Sequence, residues 1–310
     1  MNRLDPESRP KKSLGQHWLR DTASLESIAD AAEISPEDVV VEIGPGLGTL
    51  TEVLAQRARK IIAIEFDGEL TEKLESRVRA LRFGSPFLPS RPSVSAFGGS
   101  RLPKNRLAET GSAANGGGCS GSQELVDGKL VADIEVINAD FLNFNLETLP
   151  EGYKIVGNIP YYITGKIVRK CLETPNKPIS AVFLVQKEVA QRIAAKPGEM
   201  SVLGVMSQFY AETKLGPIIK ADKFDPPPKV DSQVVILHPR NKLDVAPIER
   251  VVKAGFSARR KKLRTALAGG LNISVAEAEK ILKTAKIDPN QRAQNLSLDD
   301  WRRLTKSATM

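Results

Sequence analysis

An apolar run that stops on a glycine turn and resumes at helical spacing, VVVEI then GPGLG then TLTEVLA over residues 39–55, most constrains what this chain can fold into. A strand that leads at once into a helix cannot fold back as a hairpin. The next strand lies parallel to it, with the helix packed on one face. The unit recurs: KIIAIEFD (60–67) leads into GELTEKLESRVRAL (68–81), and YKIVGNIP (153–160) into ITGKIVRKCLE (163–173). DIEVINAD (133–140) and SAVFLVQ (180–186) read as two further strands, and Leu25, Ile28, Ala29 and Ala32 space a helix over 22–33. This alternation predicts an α/β, doubly wound (Rossmann-like) domain whose ligands sit beyond the carboxyl ends of the strands.

Two regions fall outside the alternation. Residues 84–130 hold 21 Gly, Ser or Pro in 47 positions and show no helical or strand period, which predicts a flexible low-complexity insertion rather than part of the sheet. After residue 238 strand signals stop, and APIERVVKAGF, RRKKLRTALAG, SVAEAEKILKTAK and SLDDWRRLTKS read as helices. The expected division is an α/β domain over 1–239 and a small all-α domain over 240–310. Charge divides at the same place: residues 240–310 carry 16 Lys or Arg against seven Asp or Glu, a balance of +9 in a chain whose net charge is +8. Basic excess confined to one region is the footprint of a nucleic-acid partner. Arg259, Arg260, Lys261, Lys262 and Arg264, crowded at the head of one helix, are the candidate phosphate contacts. A merely solvated helical surface has the same composition, and salt dependence of binding separates the two readings.

No stretch approaches the roughly 18 apolar residues of a membrane span. The opening MNRLDPESRPKKSLGQHWLRD lacks the apolar centre of a signal peptide and carries Asp5 and Glu7, so a cytoplasmic protein away from membranes is expected. Two cysteines, Cys119 and Cys171, and two histidines, His17 and His238, suggest neither a disulfide framework nor a metal centre, and no metal is expected.

The strand ends carry the chemistry. Gly44 opens the GPGLG turn, where bare backbone can approach a nucleotide-like ligand, while Thr49 replaces the third small residue of a dinucleotide fingerprint and disfavours hydride transfer. Glu65 ends the second strand, where an acid can accept both ribose hydroxyls, and Asp140 ends the third, where one can accept an adenine amino group. Asn158 ends the fourth. Its amide oxygen and the carbonyl of Ile159 or Pro160 can accept hydrogens from a substrate amine, and Tyr161 offers a stacking face. Stacking on an aromatic side chain is worth about 1–3 kcal/mol and offsets the cost of unstacking a base. The competing readings are a surface salt bridge for Glu65 and a proline turn with core tyrosines for 158–162.

GQHWLRD (15–21), VEIGPGLGTLT (41–51), IEFD (64–67), NAD (138–140), NIPYYIT (158–164), QKEVAQRI (186–193) and FDPPPKVDSQVV (224–235) together resemble the ribosomal RNA adenine dimethyltransferase family. FSARRKKLRTAL (256–267) resembles its bacterial, KsgA-type branch, and only the insertion stands outside the likeness. The resemblance implies an S-adenosylmethionine-dependent methyltransferase domain followed by a basic, RNA-binding helical domain. The implied reaction is dimethylation at N6 of two adjacent adenines near the 3′ end of small-subunit (16S) ribosomal RNA, carried out by a monomer on the immature small ribosomal subunit. It places donor contacts on His17, Leu19, Gly44, Glu65, Asp140 and Asn158. The residues themselves point to Asn158 and the Pro160 carbonyl as the holders of the target amine, with Tyr161 against the base. His17 and Trp18 depart from the Asn and Phe of most relatives. A methyl sulfonium is already an activated electrophile, so alignment and exclusion of water suffice, and no histidine base is needed. The rivals are a DNA adenine methyltransferase, a methyltransferase of large-subunit RNA, and an assembly or transcription factor that keeps the fold without turnover. FSARRKKLR speaks against the second, and intact Glu65, Asp140 and Asn158 against the third.

Overall fold

In the computed structural model, which describes residues 10–11, 15–82, 124–126, 129–240 and 245–309, the apolar runs pair side by side as the alternation requires. The strands in chain order are β1 (Trp18–Leu19), β2 (Val39–Ile43), β3 (Lys60–Glu65), β4 (Glu124–Val126), β5 (Lys129–Val131), β6 (Asp133–Asn138), β7 (Lys154–Asn158), β8 (Ser180–Gln186), β9 (Ala211–Ile219), β10 (Phe224–Asp225) and β11 (Ser232–Pro239). Helices α1 (Thr22–Ala31), α2 (Thr49–Ala55), α3 (Gly68–Arg82), α4 (Thr164–Glu173), α5 (Lys187–Ile193) and α6 (Val202–Tyr210) alternate with them. Then come α7 (Ala246–Gly255), α8 (Leu263–Leu271), α9 (Val275–Thr284) and α10 (Leu298–Ala308).

Seven strands form the main sheet in the order β6-β3-β2-β7-β8-β11-β9. The first five are parallel, and β11 and then β9 are antiparallel to their neighbours. Successive strand residues face opposite sides, so Val40, Ile61, Val156 and Val182 pack with α1, α2 and α3, while Val41, Ile62, Ile155 and Phe183 pack with α4 and α5. Burial on both faces explains why these strands are apolar throughout rather than alternating. Burying one such Val, Leu, Ile or Phe side chain stabilises by about 1.5–3 kcal/mol, so the doubly covered sheet dominates folding.

The antiparallel edge departs from the parallel sheet expected. AETKLGPII of β9 is half exposed and polar at several positions, and Pro217 interrupts its hydrogen-bonding capacity, as suits an outermost strand. A second difference lies in the span 84–130. Its end forms a hairpin, with Glu124 opposite Val131 and Val126 opposite Lys129, where no regular structure was expected; residues 84–123 and 127–128 lie outside the described residues. ELVDGKLV carries the Asp-Gly hairpin signal between apolar pairs, masked by the Gly- and Ser-rich stretch before it.

Helices α7–α10 close a third core around Leu267, Leu282, Trp301 and Leu304, which also takes in Met200 and, from α6, Val205 and Phe209. Arg169 of α4 pairs with Glu249 of α7 at 2.9 Å across this junction. No helix among the described residues is long and apolar enough to cross a membrane.

Two adjacent glycines test the α7–α8 crossing. A Cβ on Gly270 would lie 2.3 Å from Ala254 Cα, whereas one on Gly269 would meet nothing within 4 Å. Gly270→Ala should push the helices apart and cost about 1–3 kcal/mol. Gly269→Ala should stabilise by up to about 1 kcal/mol through helix propensity. Urea midpoints of the two variants check both signs.

Candidate active site

Strand order decides which residues meet. Because β6, β3, β2 and β7 are parallel neighbours, Asp140, Glu65, Gly44 and Asn158 come into line at one edge, across three inter-strand steps of about 4.8 Å. The chain winds outward in one direction from β2 through β3 to β6 and in the other through β7 to β8, which makes this edge the switch point of the sheet. All four residues line one crevice, together with His17, Leu19, Pro160 and Tyr161.

The glycine turn forms the floor. Gly44 and Gly46 have φ of +64° and +57°, a left-handed backbone that favours glycine. A Cβ on Gly44 would meet nothing within 4 Å, so the backbone there is open to a ligand. Glu65 holds the turn: its Oε2 accepts from Gly46 N at 3.0 Å, and its Oε1 from Asp67 N at 2.9 Å. Burial raises the Glu65 pKa, against the pull of these backbone donors. Asp140 is fixed likewise, Oδ1 accepting from Leu142 N and Oδ2 from Asn143 Nδ2, both at 2.9 Å. Each of these oxygens keeps a lone pair for a further donor.

Asn158 donates from Nδ2 to the His17 carbonyl at 3.2 Å, which leaves its Oδ1 as the free acceptor. The Pro160 carbonyl, expected to receive the amine, is instead turned into the following 3₁₀ helix, where it accepts from Ile163 N and Thr164 Oγ1 at 3.3 Å each. The Ile159 carbonyl accepts no hydrogen bond among the described residues, so of the two carbonyls open to the sequence it is the one free to receive an amine. Tyr161 is half-buried with its hydroxyl 3.1 Å from Ser232 Oγ; burial lifts its pKa and the Ser232 bond partly offsets that.

An N-terminal strap completes the wall. Trp18 and Leu19 pair with Asp225 and Phe224, the Leu19 carbonyl accepts from Thr49 Oγ1 at 2.9 Å, and Lys11 Nζ pairs with Asp67 and Glu69 at 2.9 Å each. His17, expected among the donor contacts though not as a base, stands in this wall. His17 Nδ1 lies 2.7 Å from the Pro226 carbonyl, which requires hydrogen on Nδ1. Its ring runs within 19° of parallel to that of Tyr161, centroids 6.1 Å apart. Trp18 packs on the glycine turn, 3.7 Å from where a Gly46 Cβ would stand.

The cationic cluster lies elsewhere in the fold. Arg259, Arg260, Lys261 and Lys262 occupy the exposed turn before α8 rather than the helix itself, which begins at Leu263. Four cations on the first turn would oppose the positive end of the helix dipole. Lys262 Nζ donates to Asn290 Oδ1 at 3.0 Å, and Arg264 pairs with Glu279 at 2.7 Å.

Sequence reasoning passed over Glu42, which lines the crevice at 1% exposure and leaves Oε2 without a partner among the described residues. The Thr51 hydroxyl faces it without closing a hydrogen bond. Its signal was a lone acid inside an apolar strand, a placement costly enough to need a reason. Burial pushes its pKa up to about 8. An acid whose pKa rises on folding keeps its proton in the native state where the unfolded chain has lost it, so it erodes stability as pH rises from about 4.5 to about 8. Glu42→Gln should flatten the fall in Tm of the ligand-free protein over that range. Calorimetry at matched ionic strength reads the two slopes, and equal slopes would show that Glu42 does not fold as a neutral acid.

The family model described as Ribosomal RNA adenine dimethylase matches residues 7–84 and 122–310. Ribosomal RNA small subunit methyltransferase A of Dehalococcoides mccartyi (strain CBDB1) is 35% identical over 304 residues, covering 96% of this chain and 87% of that protein. The protein of the same name from Desulfitobacterium hafniense (strain DSM 10664 / DCB-2) is 33% identical over 308 residues, covering 97% and 92%. Among solved structures, the 23S rRNA methyltransferase ErmE is 26% identical with a TM-score of 0.63, over 94% of this chain and 100% of that one. A dimethyladenosine transferase from Plasmodium falciparum shares the fold, with a TM-score of 0.68 and 21% identity over 94% and 98%. With the family match running on both sides of the insertion and curated relatives alike over nearly the whole length, the chain belongs to the ribosomal RNA adenine dimethylase family.

Proposed function

We propose that the protein transfers methyl groups from S-adenosylmethionine to N6 of two adjacent adenines near the 3′ end of small-subunit ribosomal RNA, acting as a monomer on the immature small subunit. The observation that supports this is a single crevice with acceptors for a nucleoside at one end and an amine-holding pair at the other. Open backbone at Gly44, the held carboxylates of Glu65 and Asp140, and the strap residues His17 and Leu19 fit an adenosine with an amino-acid tail. That donor supplies a methyl group on a positively charged sulfur.

The remaining work falls to Asn158, Ile159, Pro160 and Tyr161. Adenine N6 is a poor nucleophile because its lone pair is delocalised into the ring. Asn158 Oδ1 and the Ile159 carbonyl hold the two N6 hydrogens, which draws the lone pair out of the ring plane and aims it along the crevice. Pro160 fixes the turn that presents them, and Tyr161, anchored through Ser232, holds the base by its face. The methylated amine is acidic enough to release its proton to water, so these residues position rather than abstract. A second transfer needs only one hydrogen, which Asn158 retains.

Arg259, Arg260 and Lys261 have no side-chain partner among the described residues and are exposed, which suits contact with RNA phosphates. Replacing Arg259 and Arg260 with Ala should lower the slope of log affinity against log salt by roughly 1.4–1.8. An unchanged slope would return them to a solvated surface.

Asn158→Ala should bind the donor within several-fold of the unaltered protein and lose about 100-fold or more in turnover. Tritiated-methyl transfer to unmethylated small subunits, beside large subunits and duplex DNA, reads both the loss and the substrate. Label appearing only in DNA or large subunits would overturn the substrate assignment.

A further inference from the structure

Tyr162 follows the residue that faces the target base and points elsewhere. In the 3₁₀ helix Tyr161–Ile163 successive side chains diverge by about 120°. Tyr161 turns inward to Ser232, and Ile163 packs on the core beneath. Tyr162 is left outward, 66% exposed, yet it lines the mouth of the same crevice. Its hydroxyl has no partner among the described residues. Gly15 of the strap, at φ +61°, runs along one edge of the ring, where a Cβ would come within 3.7 Å of Tyr162 Cε1. The ring is thus bordered by the strap while most of its surface stays in water. Phe66, exposed to 64%, lies at the other end of the crevice beside Glu65, in the half that fits the donor.

We propose that Tyr162 is a stacking platform for the base of the nucleotide adjoining the extruded adenine in a single-stranded stretch of RNA. The proposal rests on the target-base reading above and adds a second base subsite to it. Drawing one base out of a strand strips its neighbour of a stacking partner, and that neighbour is held within one nucleotide step of the crevice mouth. An exposed aromatic face there replaces the lost contact without reading hydrogen-bond edges, and purines, with the larger face, gain most. Tyr161 and Tyr162 thereby divide the work, one ring for the base being modified and one for its neighbour.

The test uses the full chain, saturated with donor, and unmethylated small subunits assembled with 2-aminopurine or an abasic residue next to the target adenine. The unaltered protein is expected to quench 2-aminopurine at one flanking position. Tyr162→Ala should leave the probe bright and weaken subunit binding about 10-fold, while Tyr162→Phe keeps both properties because the ring and not the hydroxyl acts. Donor affinity should be the same in all three. The abasic residue should weaken binding by the unaltered protein about as much as Tyr162→Ala does, and should add little to that variant. Independent, additive losses, or full quenching by Tyr162→Ala, would overturn the platform, as would loss of donor binding in Tyr162→Ala, which marks a structural role. Absence of methyl transfer to unmodified subunits by the unaltered protein would instead overturn the function reading beneath it, so the two failures are distinguishable.

Discussion

Parallel pairing of β6, β3, β2 and β7 is the constraint on which the rest depends. Parallel neighbours end on the same edge, so side chains far apart in sequence arrive side by side without any loop having to carry them there. Asp140, Glu65, Gly44 and Asn158 are set by backbone hydrogen bonding of a buried sheet, the most rigid frame the chain has. The buried apolar faces of the strands fix the register in turn. A slip of one residue would reverse Val40 with Val41 and send Glu65 into a helix-covered core.

Within that frame two buried acids divide their roles. Burial raises the pKa of both: at Glu65 the backbone N–H donors of Gly46 and Asp67 pull against it, while at Glu42 the charge of Glu65 adds to it and one oxygen has no partner among the described residues. An ionised Glu42 would add a like charge near Glu65, which works in the same direction as its burial. The glycine turn is thus held by Glu65 through two backbone N–H donors, beside a second acid that burial pushes toward its neutral form.

The residues legible in the sequence were those whose local environment announces itself. β2, β3, β7 and β8 are short apolar runs bounded by turns, and Glu65, Asp140 and Asn158 are polar residues where those runs stop, so both fold and crevice could be read from strand ends. What escaped depends on three-dimensional partners. β1 and β10 are two residues each, too short for any period, so the pairing that fixes the strap beside His17 could not be read. β9 alternates weakly because it is an edge. Which carbonyl at Ile159–Pro160 stays free turns on a 3₁₀ helix that starts one residue later. Whether Arg264 is available turns on Glu279, fifteen positions away on another helix.

The family match breaks between residues 84 and 122, a stretch that enters the fold upstream of β6. The chain leaves the sheet's covering at the end of α3 and rejoins it through β4 and β5 at Asp133, the amino end of β6. The crevice lies at the other end of that strand, about 20 Å away at 3.3 Å per residue. Lengthening such a connection costs little, since loop-closure entropy grows only logarithmically with length. The register of β6 against β3, from Lys60 opposite Asp133 to Glu65 opposite Asn138, is fixed by ladder bonds and buried side chains that the loop does not supply. Asp140 is therefore placed by the strand that precedes it, and a long connection upstream can vary without moving the acid at the crevice.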